Sequence, residues 1–172
     1  MLLRSLEGIP EGAEVDLLPF FRHAFETIAF AKVSTSAKDA QRLGYIRPVE
    51  RCTMNQDRLL HEAKQVALGL VAEGYTPLQP RDDIKVLGTR AIAAVDTQLY
   101  NMKCGGYISD HDERIARKLA NVLAGGDVAP RTMVTEQYLL DLEREAFLSL
   151  CGERKSQERM QHMLKTGKPL RN

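Results

Sequence analysis

Along this chain, residues that cap helix N-termini are repeatedly followed, one helix length later, by glycine: Ser36 by Gly44, Asn55 by Gly74, Ser109 by Gly125, Thr135 by Gly152, Ser156 by Gly167. A Ser, Thr or Asn oxygen satisfies an amide that the first helical turn leaves without a partner. Glycine adopts the left-handed conformation that closes the last turn. Between these brackets apolar residues recur three and four positions apart, and no strand-like alternation extends beyond a few residues. The pattern restricts the chain to a mainly α fold with at most short strand remnants.

The first helix is expected from about Leu17 to Ala31, capped by Asp16, with Pro19 tolerated in its first turn and Phe21, Phe25, Ile28 and Ala29 on one face. Residues 8–16, GIPEGAEVD, read as the loop before it. A short helix from Ser36 to Leu43 follows, then an extended stretch at 45–54 imposed by Pro48, because a residue before proline avoids the helical region. Leu59, Ala63, Val66, Ala67 and Leu70 share a face of the next helix, and YTPLQPRDD (75–83) reads as a linker. Four amphipathic helices come after it. Their expected buried residues are Ile92, Val95, Leu99 and Met102; Ile115, Leu119 and Val122; Tyr138, Leu139, Leu142 and Ala146; and Met160, Met163 and Leu164. A break near residue 80 divides the chain into 1–78 and a C-terminal helical bundle, 79–172.

Composition narrows the classes of function. At 172 residues, 44% hydrophobic and 27% charged, the chain has the balance of a folded protein and not of a disordered one. A net charge of +1 provides no basic field for nucleic acid. Cys52, Cys104 and Cys151 form no CxxC pair, so neither a disulfide framework nor a zinc site is signalled, and a reducing cytoplasm is the expected setting. No apolar run approaches the ~20 residues of a membrane span, and Glu7, Glu11, Glu14 and Asp16 stand where a signal peptide would be apolar.

Candidate chemistry reads mostly as structure. Ser34, Thr35 and Ser36 could act as nucleophiles only with a base beside them, and none is near in sequence; capping is the better reading. Asp110, His111 and Asp112 suggest a metal, yet consecutive helical residues diverge by about 100°, and acids in a first turn answer the helix dipole. Gly105-Gly106 and Gly125-Gly126 follow helices, whereas a phosphate cradle precedes one. Glu143 and Glu145 point to opposite sides of their helix and cannot serve as an acid and base pair. Met160 and Met163 form a core or docking stripe, while Lys165, Lys168 and Arg171 leave the tail basic, able to meet the phosphates of a nucleotide-bearing ligand or simply solvated. These residues furnish no catalytic constellation, no cofactor site and no metal site.

A family resemblance adds to this reading. AFETIAFAKVSTSAKDAQRLGYIRPVERCTMNQDRLLHEAKQVALGLVAEGYTP (24–77) resembles the late part of the crotonase, or enoyl-CoA hydratase, domain, through Ser36, Ala37, Ala40 and Gly44 and then Ala63 and Lys64. GGYISDHDERIARKLANVLAGGD (105–127) and EQYLLDLEREAFLSLCGERKSQERMQHMLKTGKPLRN (136–172) resemble the end of the bacterial 3-hydroxyacyl-CoA dehydrogenases of fatty acid β-oxidation. The resemblance implies late crotonase-like helices over 1–78 and acyl-CoA thioesters as substrates. It also implies NAD bound by upstream sequence, and association with the rest of the enzyme or with further copies. The family's glycine-rich NAD loop, its dehydrogenase His and Glu, and the hydratase's oxyanion hole and glutamates have no counterpart here. The chain is therefore expected to be a C-terminal piece, inactive alone, contributing pocket and subunit contacts. The alternative is a stand-alone helical interaction module.

Overall fold

The computed structural model describes residues 1–6, 9–10 and 13–172. Gly8, Glu11 and Gly12 of the expected 8–16 loop lie outside the described residues, as does Glu7. The described elements are eight α-helices, a 3₁₀ turn and two two-residue strands, in agreement with a mainly α fold. The helices are α1 (Leu2–Leu6), α2 (Leu18–Ala29), α3 (Ala37–Leu43), α4 (Leu59–Ala72), α5 (Thr89–Cys104), α6 (Asp110–Ala124), α7 (Glu136–Cys151) and α8 (Arg154–Thr166). None of them is long and apolar enough to cross a membrane.

The chain forms two compact units, one of residues 33–80 with Met1, the other of 2–32 and 81–172. In the first, the Ser36 hydroxyl accepts from the Asp39 amide at 3.1 Å and Gly44, at φ 83°, closes α3. Asn55 caps the 3₁₀ turn Gln56–Arg58, from which α4 continues until Gly74 at φ 75°. No residue of α4 is buried, although the helical spacing of its apolar residues predicts a core face.

The second unit holds the main core. Phe21 and Phe25 of α2, Ala91, Val95 and Leu99 of α5, and Ala116, Ala120 and Ala124 of α6 pack together with Leu87. Several details differ from the sequence expectation: none of Tyr138, Leu139, Leu142 and Ala146 of α7 is buried, and Leu164 of α8 is 87% exposed. Asp16 does accept an amide, but that of Leu18, so α2 begins one residue late; it ends at Ala29, and Ile28 is left exposed. In α6 the buried edge is an alanine stripe, while Ile115, Leu119 and Val122 are only half-buried. Small side chains allow α5 and α6 to approach closely, so alanine occupies the contact and larger residues flank it.

The strand remnants, β1 (Ile84–Lys85) and β2 (Met133–Val134), pair antiparallel with Ile84 opposite Val134. They carry a small second cluster of Ile84, Val86 and Val134. Gly88 sits where they join the core: at φ 53°, a Cβ there would lie 2.0 Å from the Val128 carbonyl oxygen. No other residue type fits that position without moving backbone.

Candidate functional site

The three consecutive residues Asp110, His111 and Asp112 open α6, and the structure sends each to a different partner. Asp110 takes Lys103 Nζ at 2.9 Å. Asp112 completes a capping box with Ser109 and accepts from Arg159 of α8 at 2.7 Å. His111, 4% exposed, reaches Ser156 of α8, its Nε2 lying 3.0 Å from the hydroxyl oxygen. Among the described residues no three His, Cys, Asp or Glu side chains converge on a metal position.

Ser156 is the point on which sequence reasoning failed. Expected as an N-cap, it lies inside α8, whose N-cap is Glu153, and it is buried against His111, 45 residues away. Only the helical phase of α8 relative to α6 brings the two together. Ser156, His111 and Glu153 have the order of a nucleophile, base and orienting acid. The geometry does not make them one: Glu153 Oε2 is 4.0 Å from His111 Nδ1, too far for a hydrogen bond, and Glu153 is held by Arg114 at 2.6 Å. The cluster instead locks α8 to α6. Arg159 extends it, donating through Nε to Asn172 Oδ1 at 2.8 Å, while Asn172 Nδ2 donates to Glu158 at 2.9 Å.

Electrostatics follow this arrangement. Burial, aided by the Arg159 charge, pushes the His111 pKa below its ordinary 6.5, with Glu153 opposing. For Asp112 burial works upward, but the Ser109 amide and the Arg159 guanidinium outweigh it and the carboxyl is held below its usual range. Nearby, the buried Glu113 carboxylate is met by Lys103 at 2.7 Å and Arg117 at 3.0 Å.

The remaining singled-out residues are structural or exposed. Asp39 accepts from the Thr35 amide and from Arg42, so Thr35 and Ser36 work in the α3 N-terminus. Gly125 closes α6 and Gly106, at φ 71°, follows α5. Glu143, Glu145, Lys165, Lys168 and Arg171 are exposed, and Met160 and Met163 are 40% and 45% exposed. Cys52 and Cys104 are exposed and Cys151 half-buried, all three as thiols. The space over Gly125-Gly126 is filled: a Cβ on Gly125 would meet Val86 at 2.5 Å, and one on Gly126 the Tyr138 hydroxyl at 2.8 Å. A dinucleotide's phosphates have no cradle there, so these glycines do not fit NAD.

A groove of mixed chemistry was not foreseen. About 1170 Å³ in volume, it runs beside β1, its lining including apolar Val15, Leu17 and Met133, the cations Lys85, Arg90 and Arg131 and the carboxylates Glu14, Asp16 and Asp83. Arg90 is 3.5 Å from Asp16 and Arg131 3.7 Å from Glu14, loose contacts between exposed side chains that cost little to exchange. Arg131 itself sits at φ 71°, a region where a non-glycine residue is strained. The groove assembles from residues more than a hundred positions apart, so local sequence carried no signal of it.

Comparison with known proteins finds a bacterial relative. The chain is 53% identical over 148 residues to a probable 3-hydroxyacyl-CoA dehydrogenase of Bacillus subtilis (strain 168). The match takes in 86% of this chain and 19% of that protein, so the chain spans about a fifth of the length of the curated relative it matches. No family model matches the chain, and no solved structure matches it significantly.

Proposed function

We propose that this chain is a part of a fatty acid β-oxidation enzyme, a 3-hydroxyacyl-CoA dehydrogenase with an enoyl-CoA hydratase region, working on acyl-CoA thioesters in the cytoplasm. Its role is to shape the acyl-CoA pocket and the subunit contacts, while NAD and the acid and base groups are supplied by other sequence. The observation carrying this reading is the 53% identity to the probable 3-hydroxyacyl-CoA dehydrogenase over most of the chain. The crotonase-like assignment rests on the motif resemblance of residues 24–77. The groove beside β1 supports a thioester ligand chemically: an acyl chain suits Val15, Leu17 and Met133, and CoA phosphates suit Lys85, Arg90 and Arg131.

Hydration of an enoyl-CoA needs an oxyanion hole and carboxylates to deliver water, and hydroxyacyl oxidation needs a base and a hydride acceptor. This chain's own groups bind and orient; no step is assigned to them. The test has two arms. The Bacillus relative lacking its matched segment is supplied with this chain, and enoyl-CoA hydration and NAD-linked oxidation are measured. Acyl-CoA binding to this chain is titrated directly, with Arg90→Glu and Arg131→Glu as controls. Restored turnover and binding weakened severalfold by either variant are expected; no complementation and no binding would overturn the reading.

A second reading, a helical interaction module without catalysis, is favoured by the exposed Met160 and Met163 on α8. It fails if Met163→Asp leaves every association of the chain unchanged.

A further inference from the structure

Arg131 stands where local chemistry calls for glycine. The turn 129–132 has Pro130 in second place and Arg131, at φ 71°, in third, and the Thr132 amide closes it by donating to the Ala129 carbonyl at 3.2 Å. This is a type II turn, whose third residue is left-handed and is normally glycine or asparagine, because other side chains strain the backbone there. The Arg131 amide donates to the Val86 carbonyl at 2.9 Å, which pins the turn to the chain just past β1 and roots the guanidinium at the groove. That side chain is 75% exposed and approaches Glu14, itself 87% exposed, no closer than 3.7 Å. So loose an exposed pair contributes too little to offset the strain, and strain kept at a groove-lining residue points to a ligand.

Two carboxylates two positions apart stand against the two arginines. Residues 13–16 are exposed and form no regular structure, and among the described residues no amide of Glu14, Val15 or Asp16 is hydrogen-bonded. Glu14 meets Arg131 and Asp16 meets Arg90 at 3.5 Å, so each arginine has a carboxylate near the place an anionic ligand would take. Both distances exceed a good hydrogen bond. Arg81 differs, holding Asp83 through Nε at 2.8 Å and Nη2 at 3.1 Å. Resting on the acyl-CoA reading of this groove, we infer that Arg90 and Arg131 form a phosphate clamp which the chain occupies with its own Glu14 and Asp16, and that a CoA thioester takes the clamp by displacing them.

The charges fit such an exchange. The lining carries four cations, Arg81, Lys85, Arg90 and Arg131, against the carboxylates of Glu14, Asp16 and Asp83, so with all in place the groove attracts anions weakly. Once Glu14 and Asp16 turn outward, Asp83 alone opposes an incoming phosphate, and Arg81 already neutralises it. A phosphate brings more charge and more acceptor oxygens to a guanidinium fork than a carboxylate does, which sets the direction of the exchange. Without amide hydrogen bonds from residues 14 to 16, little has to break for it to happen.

The test is calorimetric titration of the full chain with butyryl-CoA, with pyrophosphate, and with butyryl-pantetheine, which has no phosphate. Glu14→Gln with Asp16→Asn keeps both side-chain lengths and an acceptor for the Leu18 amide. This variant is expected to bind butyryl-CoA and pyrophosphate about three- to tenfold tighter at low ionic strength, a gain that shrinks at ~1 M salt, and butyryl-pantetheine no differently. Arg131→Gly is expected to raise the urea midpoint by relieving the turn and to weaken butyryl-CoA binding severalfold, a loss that misfolding cannot explain. Wild-type binding that the double variant leaves unchanged overturns the clamp and spares the acyl-CoA reading. Tighter pyrophosphate binding by the variant, with butyryl-CoA bound by neither chain, sustains the clamp and overturns the acyl-CoA reading. No phosphate probe bound by either chain overturns both. A urea midpoint lowered by Arg131→Gly overturns the assignment of Arg131 to a ligand.

Discussion

Helices α4 and α6 are nearly equal in length, 14 and 15 residues, and opposite in character. The sequence of α4 is mostly apolar and buries nothing; α6, DHDERIARKLANVLA, is crowded with charge and buries five residues, His111, Glu113, Ala116, Ala120 and Ala124. Hydrophobicity measures what a helix gains if covered, not whether it is covered. What decides burial in α6 is shape. A line of alanines at four-residue spacing admits α5 at close range, and the charged residues around it find partners: Glu113 with Lys103 and Arg117, Asp112 with Arg159. Helix α4 has the larger apolar face, yet none of its residues is buried among those described.

The largest effect expected of any substitution lies in the core that α6 helps to build. Phe25, 2% exposed and stacked on Phe21 with ring centroids 6.3 Å apart, loses its packing in Phe25→Ala, and unfolding by urea should register a loss of about 3–5 kcal/mol. A loss below about 1 kcal/mol would mean that this core is not closed as described. Next comes the alanine stripe itself. Ala120→Leu adds three carbons to a position 2% exposed, and overpacking there should cost about 1–3 kcal/mol even though leucine is the more hydrophobic residue. If leucine instead stabilises, close approach is not what selects alanine in α6.

These two sites also show what the sequence disclosed. Caps such as Ser36, Ser109 and Thr135 and stops such as Gly44 and Gly125 were legible because each bonds within a few residues, and local chemistry determines local geometry. The buried face of α6 was misplaced by one position because periodicity favours the large residues Ile115 and Leu119, whereas packing chose the small ones. Ser156 was misread for a related reason: a serine near a helix start usually caps it, and its actual partner, His111, can be identified only once α6 and α8 are docked. Two-residue strands such as Ile84–Lys85 are too short for any alternation to show.

The His111–Ser156 contact gives a smaller and pH-dependent effect. Since burial lowers the folded-state pKa of His111, the unfolded chain binds the proton more readily. The contribution of this histidine is therefore fully present above its ordinary 6.5 and declines as pH falls through that value toward the folded one. Asp112, also lowered, acts in the same direction but only near its ordinary 3.8, so the two windows separate. Urea titrations should show stability falling on acidification between these values, and His111→Asn should flatten that segment. A slope unchanged by the substitution would assign it to other groups.

The smallest expected effect is the most informative about α4. Val66→Ala removes a side chain that is 42% exposed and outside the core clusters, so the change in stability should stay within about 0.5 kcal/mol. Its sign should be favourable, because valine loses χ1 freedom in a helix and alanine does not, and helical circular dichroism should rise slightly. That sign separates α4 from α6: in the buried helix, truncation can only cost. A loss of stability would instead place α4 in a core of its own.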